Sequence, residues 1–135
     1  MVIEIKNKEY ELKWNLEAID YLDHIYTINF DMEGMQAKFG AGLQSGVSQL
    51  ALGSPVVVAN FIKAGLKHYK ALIFTDEAIE NAIINRINKD GDINKLIEDI
   101  QKSLKDNPLT KTSVSNLDEE VEEKEEIAHE VKKKK

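Results

Sequence analysis

From Phe39 to Ile62 the chain reads FGAGLQSGVSQLALGSPVVVANFI and carries no charge, although 31% of the whole sequence is charged. A stretch of this kind has to be covered, and that requirement constrains the fold. The spacing predicts two helices broken at Gly53-Ser54-Pro55. In the first, Phe39, Leu43, Val47 and Leu50 follow one another by four, four and three residues and share one helical face. Gly42, Ser45, Gly46 and Ala51 are small enough to admit a neighbouring backbone. In the second, Ser54 is a candidate cap and Pro55 suits the first helical position, where its missing N–H is no loss. Val56, Val57, Val58, Ala59, Phe61 and Ile62 then make a helix apolar nearly all round, which needs cover on most sides. The cover comes from the rest of the chain, from copies of it, or from a client. About 20 apolar residues also span a bilayer, but Gln44, Ser45, Ser48, Gln49, Ser54 and Asn60, with the mid-way break, argue against a membrane span.

With 135 residues the chain has room for one domain and a tail. Its net charge of −6 argues against nucleic-acid binding, which rests on Lys/Arg electrostatics. Cysteine is missing from the sequence, so disulfides and thiolate metal sites are excluded and a reducing cytoplasm is the default. The opening MVIEIKNKEYEL has acids where a signal peptide needs an apolar run.

Val2 to Trp14 alternates as a β-hairpin. A turn at Asn7-Lys8 would set Ile5 opposite Tyr10 and Ile3 opposite Leu12, giving one apolar face that has to lie on helices. Asn15 is a good cap for a helix with Leu16, Ile19, Leu22 and Tyr26 on one side. Thr27 to Gly34 reads as a loop. The helix opening at Pro55 is expected to reach about Tyr69, with Lys67, His68 and Lys70 at its negative end. Thr75-Asp76-Glu77 opens a fourth helix with Ile79, Ala82, Ile83 and Ile87 inward, ended by Asp90-Gly91. Asp92 caps a fifth, with Ile93, Leu96, Ile97, Ile100 and Leu104 inward, and Pro108 stops it. The fold class is mainly α (α+β): an N-terminal β-hairpin packed on a bundle of about five helices. The domain covers residues 1–107. Residues 108–135 read as a flexible acidic tail, a helix only when bound. Asp118 to Glu130 holds eight acids against Lys124, and Lys132 to Lys135 form a terminal lysine run.

The residues offer no convergent chemistry. Asp20 and His24 share i, i+4 spacing, but two ligands make no metal site. His68 reads as a helix-end residue and His129 lies in the tail. No serine stands in a nucleophile-elbow context and no phosphate loop is present. NKDGDINKLIED lacks the alternating ligands of a calcium loop and reads as a turn plus a cap. The last two helices would present mixed charge, which suits a solvated face better than a DNA-reading one. No catalytic residue, metal or cofactor is therefore expected. Phe39, Leu43, Val47, Leu50, Val57, Phe61 and Ile62 are the candidate partner-binding residues, and ordinary core is their other reading.

The opening IKNKEYELKWNLEAIDYLDHIYTIN resembles tail assembly chaperones of long-tailed bacteriophages of Gram-positive hosts. So does the order that follows: FGAGLQSGVSQLALGSP, VVVANFIKAGL, TDEAIENAI, then DINKLIEDIQKSL. The resemblance covers about residues 1–107. It implies a non-enzymatic chaperone in the host bacterial cytoplasm. Such a protein binds and solubilises the tape-measure protein, assists the tail-tube protein to polymerise round it, and is absent from the virion. It also implies a frameshifted longer form, for which Lys132 to Lys135 suit an adenine-rich slippery site; self-association as a homo-oligomer is expected from the uncharged stretch, which five helices have difficulty covering. A structural head–tail subunit retained in the virion and a small DNA-binding regulator are the alternatives.

Overall fold

The computed structural model describes residues 1–26, 28–32, 35–39 and 42–114, with backbone and strand pairing alone for 28–32 and 35–39. The N-terminal hairpin forms as expected, from β1 (Val2–Ile5) and β2 (Lys8–Glu11). Its register differs: Ile5 pairs with Lys8 and Ile3 with Tyr10. The turn is Lys6-Asn7, both at positive φ (51° and 66°), not Asn7-Lys8. Two positive φ values make the turn whose twist matches the flanking strands. Ile3, Ile5, Leu12 and Trp14 are buried on the helices.

Five helices follow: α1 (Leu16–Ile25), α2 (Gly42–Leu50), α3 (Pro55–Gly65), α4 (Asp76–Asp90) and α5 (Asn94–Asp106). Their ends follow local chemistry. The Asn15 side chain accepts from the Ala18 N–H at 2.9 Å and that of Thr75 from the Ala78 N–H at 3.1 Å. Pro55 is the first residue of α3, although Ser54 makes no side-chain cap. Asp92 accepts from the Asn94 N–H at the mouth of α5. Gly91, at φ 94°, closes α4 in the left-handed conformation that glycine adopts without strain.

Three expectations are corrected. Residues 28–32 are not loop: Ile28–Met32 is strand β3, paired antiparallel with β4 (Met35–Phe39). Phe39 therefore ends a strand opposite Ile28 and does not begin a helix; α2 starts at Gly42. The cause is a period of two. Ile28, Phe30 and Met32 stand opposite Phe39, Ala37 and Met35, while Asn29 and Asp31 stand opposite Lys38 and Gln36. Next, α3 stops at Gly65, short of Tyr69, because the Gly65 carbonyl accepts from Lys13 N–H beyond β2 (3.0 Å) and leaves the helical ladder. A side chain at Gly65 would start 2.8 Å from Leu12 Cβ. Finally, packing continues past 107. Thr110 and Val114 are buried, and the Thr110 hydroxyl donates to the Leu104 carbonyl at 2.5 Å. The expected tail from residue 115 onward lies outside the described residues.

The core is built round α3, which packs on α1, α2 and α4. Phe61 is fully buried between the rings of Trp14 (6.2 Å) and Tyr26 (6.3 Å). The expected close approach of small residues holds at two of the named positions. A side chain on Gly42 would begin 2.5 Å from the Asp23 backbone, and one on Gly46 would meet the Tyr26 ring. The Trp14 indole N–H donates to Ser103 Oγ at 2.8 Å, tying the hairpin's exit to α5. Arg86 joins α4 to α5 by pairing with Asp90, 2.5 Å away, and with Asp99.

Candidate partner-binding surface

Six of the seven residues expected at a partner contact have described side chains. Leu43, Val47, Leu50, Val57, Phe61 and Ile62 are all buried within the single chain. They form the core that covers the uncharged stretch, so the chain supplies that cover itself. The side chain of Phe39 lies outside the described residues.

Apart from single exposed side chains such as Leu16 and Leu109, the exposed apolar residues among those described gather in two other places. One is the corner between α2 and α3, where Leu52 is 84% and Val56 69% exposed. Gly53, at φ 82°, turns the chain there. The other is a groove of about 350 Å³ between α1, the end of α3 and the segment leading to α4.

That leading segment has no helical or strand periodicity, yet it is firmly attached. Tyr69 and Phe74 both meet Tyr10 edge-to-face, at 5.4 and 5.0 Å between centroids. Such pairs contribute about 0.5–1.5 kcal/mol beyond their burial. The Glu11 N–H donates to the Tyr69 hydroxyl at 3.0 Å, and His68 Nε2 lies 2.7 Å from the Glu11 carbonyl. A carbonyl only accepts, so Nε2 carries the proton. These bonds occupy the outward backbone groups of β2 at Glu11, where another strand would otherwise pair. Between the anchors, Leu72 is 46% and Ile73 94% exposed. Covering a side chain like Ile73 yields about 1.5–3 kcal/mol, and the chain leaves that gain unused.

Cations edge the groove. Lys67 Nζ stands 4.3 Å over the Tyr21 ring. Lys63 bonds Asp76 at 2.6 Å, and this bond holds its ammonium above the ordinary lysine pKa. Lys70 pairs with Glu17. These ion pairs are largely exposed, of a kind contributing about 0–1 kcal/mol, so other carboxylates can share the lysines. The groove is thus apolar at its lip and positive at its wall, by three lysines against Glu17 and Asp76.

Among the described residues no group of three or more His, Cys, Asp or Glu is placed to hold a metal ion. No described helix is long and apolar enough to cross a membrane. His24 bonds the Asp20 carbonyl at 2.8 Å on an exposed face. The groove brings exposed apolar side chains and lysine ammonium groups to one surface.

The signal for this surface lies in Leu72-Ile73-Phe74, an apolar run between two helices that neither helix needs. The run has neither helical nor strand period, so residue spacing gives no sign of it.

A family model described as "Phage tail assembly chaperone protein, TAC" matches residues 2–119. No curated protein and no solved structure matches the chain.

Proposed function

Because the chain belongs to the phage tail assembly chaperone family, whose members are non-enzymatic, we propose that it binds its phage's tape-measure protein and keeps it soluble. It acts in the host cytoplasm until tail-tube subunits polymerise round the client, and it is left out of the finished particle. The observation that carries this reading is Ile73, 94% exposed beside Leu72 on a segment fixed by Tyr69 and Phe74. An apolar side chain held out in solvent on a firm support suits capture of a helical client by its apolar stripe. The support spares the ordering cost that a loose loop would add.

Each anchored side chain contributes about 1.5–3 kcal/mol before ordering costs. Several weak sites along a long client therefore hold it reversibly, and tube subunits can displace the chaperone. Contact with a second copy would use the other apolar surface, where Leu52 and Val56 are exposed. A client contact that is mainly apolar depends weakly on salt.

Composition of purified particles tests the reading together with direct binding. The expected result is that immobilised protein retains the tape-measure protein, with similar yield at low and high salt, and that mature particles lack it. Stoichiometric presence in particles would overturn the reading in favour of a structural tail subunit.

A further inference from the structure

We propose that residues 117–131 of this chain dock, in the same molecule, into the groove that carries Leu72 and Ile73, and occupy it until a client displaces them. Three observations lead there: the chemistry of the groove, the chemistry of the segment, and its reach.

The groove joins an apolar lip to a wall holding Lys63, Lys67 and Lys70. Among the described residues no carboxylate pairs with Lys67, whose ammonium rests on the Tyr21 ring. Two of the three lysines meet carboxylates of their own, Asp76 and Glu17, in exposed pairs. The net excess is one positive charge, in a chain whose total is −6.

Residues 117–131 read LDEEVEEKEEIAHEV. At helical spacing Leu117, Val121, Ala128 and Val131 fall on one side, with the stem of Lys124 between them. The remaining positions are almost all acidic. Asp118, Glu119 and Glu120 would begin such a helix and Lys132 to Lys135 follow it, the order that the helix dipole favours. An apolar stripe this narrow cannot order the segment alone, so it needs a surface to fold upon. The groove offers apolar side chains and positive charge together, and the segment offers their complements.

Val114 is buried, which fixes the point of departure. Extended chain spans about 3.3–3.6 Å per residue, so Val114 to Leu117 covers about 10 Å, and a helix over 117–131 at about 1.5 Å per residue carries its far end to roughly 30 Å from Val114. A domain of this size has a radius of gyration of about 13 Å, so that length is comparable with the width of the domain. A neighbour joined by a short tether sits at an effective concentration of about millimolar, so weak contacts suffice to fill the groove.

Docking here would shield Ile73, the most exposed apolar side chain among the described residues, while leaving it reachable. The inference does not depend on the client's identity, because the segment and the groove belong to one chain.

The absence of cysteine makes a direct test simple. In the full chain, His129→Cys, off the apolar side of the segment, carries a nitroxide label, and the methyl signals of Leu72 and Ile73 are recorded by NMR with those of Leu52 and Val56 at the α2–α3 corner as controls. The expected result is loss of intensity at Leu72 and Ile73 and none at Leu52 and Val56. The loss should be relieved by Lys67→Glu or Lys70→Glu in chains whose remaining spectrum is unchanged. It should also be relieved by 1 M salt, where screening shortens to about 3 Å. Mixing labelled chains with separately isotope-enriched ones should produce no loss. Intensity lost nowhere, lost only at the α2–α3 corner, lost only between different chains, or unaffected by both lysine variants would each overturn the proposal. None of these outcomes bears on whether the tape-measure protein is the client.

Discussion

The Tyr26 ring occupies the space where a side chain on Gly46 would begin. A Cβ there would lie 2.7 Å from Cδ2 of the ring. Tyr26 is in turn held by Asn60, whose side-chain N–H donates to its hydroxyl at 3.1 Å, and it packs on Phe61. Glycine at this position therefore sets how closely α2 lies on α1.

Gly46→Ala tests that spacing. Alanine favours a helix over glycine by about 1 kcal/mol, but displacing a packed ring costs about 1–3 kcal/mol. The clash is expected to win, because the ring cannot retreat without breaking its bond to Asn60. Thermal unfolding followed by circular dichroism should show a lower Tm for Gly46→Ala. Ser45→Ala, one residue earlier, should change little. An unchanged or raised Tm for Gly46→Ala would show that α1 and α2 can separate freely.

Trp14 and Ser103 are 89 residues apart in sequence and joined by a hydrogen bond of 2.8 Å. Ser103→Ala leaves a buried indole N–H without a partner, at a cost of about 1–3 kcal/mol. Trp14 is the sole tryptophan in the sequence, so its fluorescence reports this site alone. The urea midpoint of the variant should fall while the slope stays the same.

Chain length gives a third prediction. Ending the chain at residue 107 removes Thr110 and Val114, both buried. The loss should be about 2–4 kcal/mol, from one apolar side chain and the hydroxyl bond to Leu104. Ending it at residue 116 keeps both and should lower the Tm far less, by the weak docking of residues 117–131 alone. Equal midpoints for the two truncations would mean that residues 108–114 add nothing to the core.

Much of this fold was legible because helices announce themselves at their ends. Asn15, Thr75, Pro55 and Gly91 each mark a boundary by local chemistry that no neighbour overrides. The first hairpin was also legible despite its wrong register. Moving the turn to Lys6-Asn7 slips the pairing by two residues, and a slip of two keeps Ile3, Ile5, Tyr10 and Leu12 on the same face. The second hairpin was missed because Phe39 fits two patterns at once. It continues the alternation of Met35 and Ala37, and it also stands four residues before Leu43. Pairing with Ile28 across the sheet decided the matter, and a contact between residues that far apart leaves no trace in local spacing. The same limit affected the site. An uncharged stretch says that cover is needed but not who provides it; here α1 and α4 pack on its helices, and Leu52, Val56, Leu72 and Ile73 are among the apolar residues left exposed.

Ile73→Asp bears on the function most directly, because Ile73 is already exposed and a charge there should leave the fold intact. The measurement is the soluble fraction of the tape-measure protein when it is produced alone, with the wild-type chain, and with Ile73→Asp. The account predicts that the client aggregates alone, becomes soluble and co-purifies with wild type, and largely returns to the insoluble fraction with the variant. A client that stays insoluble beside the wild-type chain would contradict the proposed function. A client rescued equally well by Ile73→Asp would contradict the assignment of the groove.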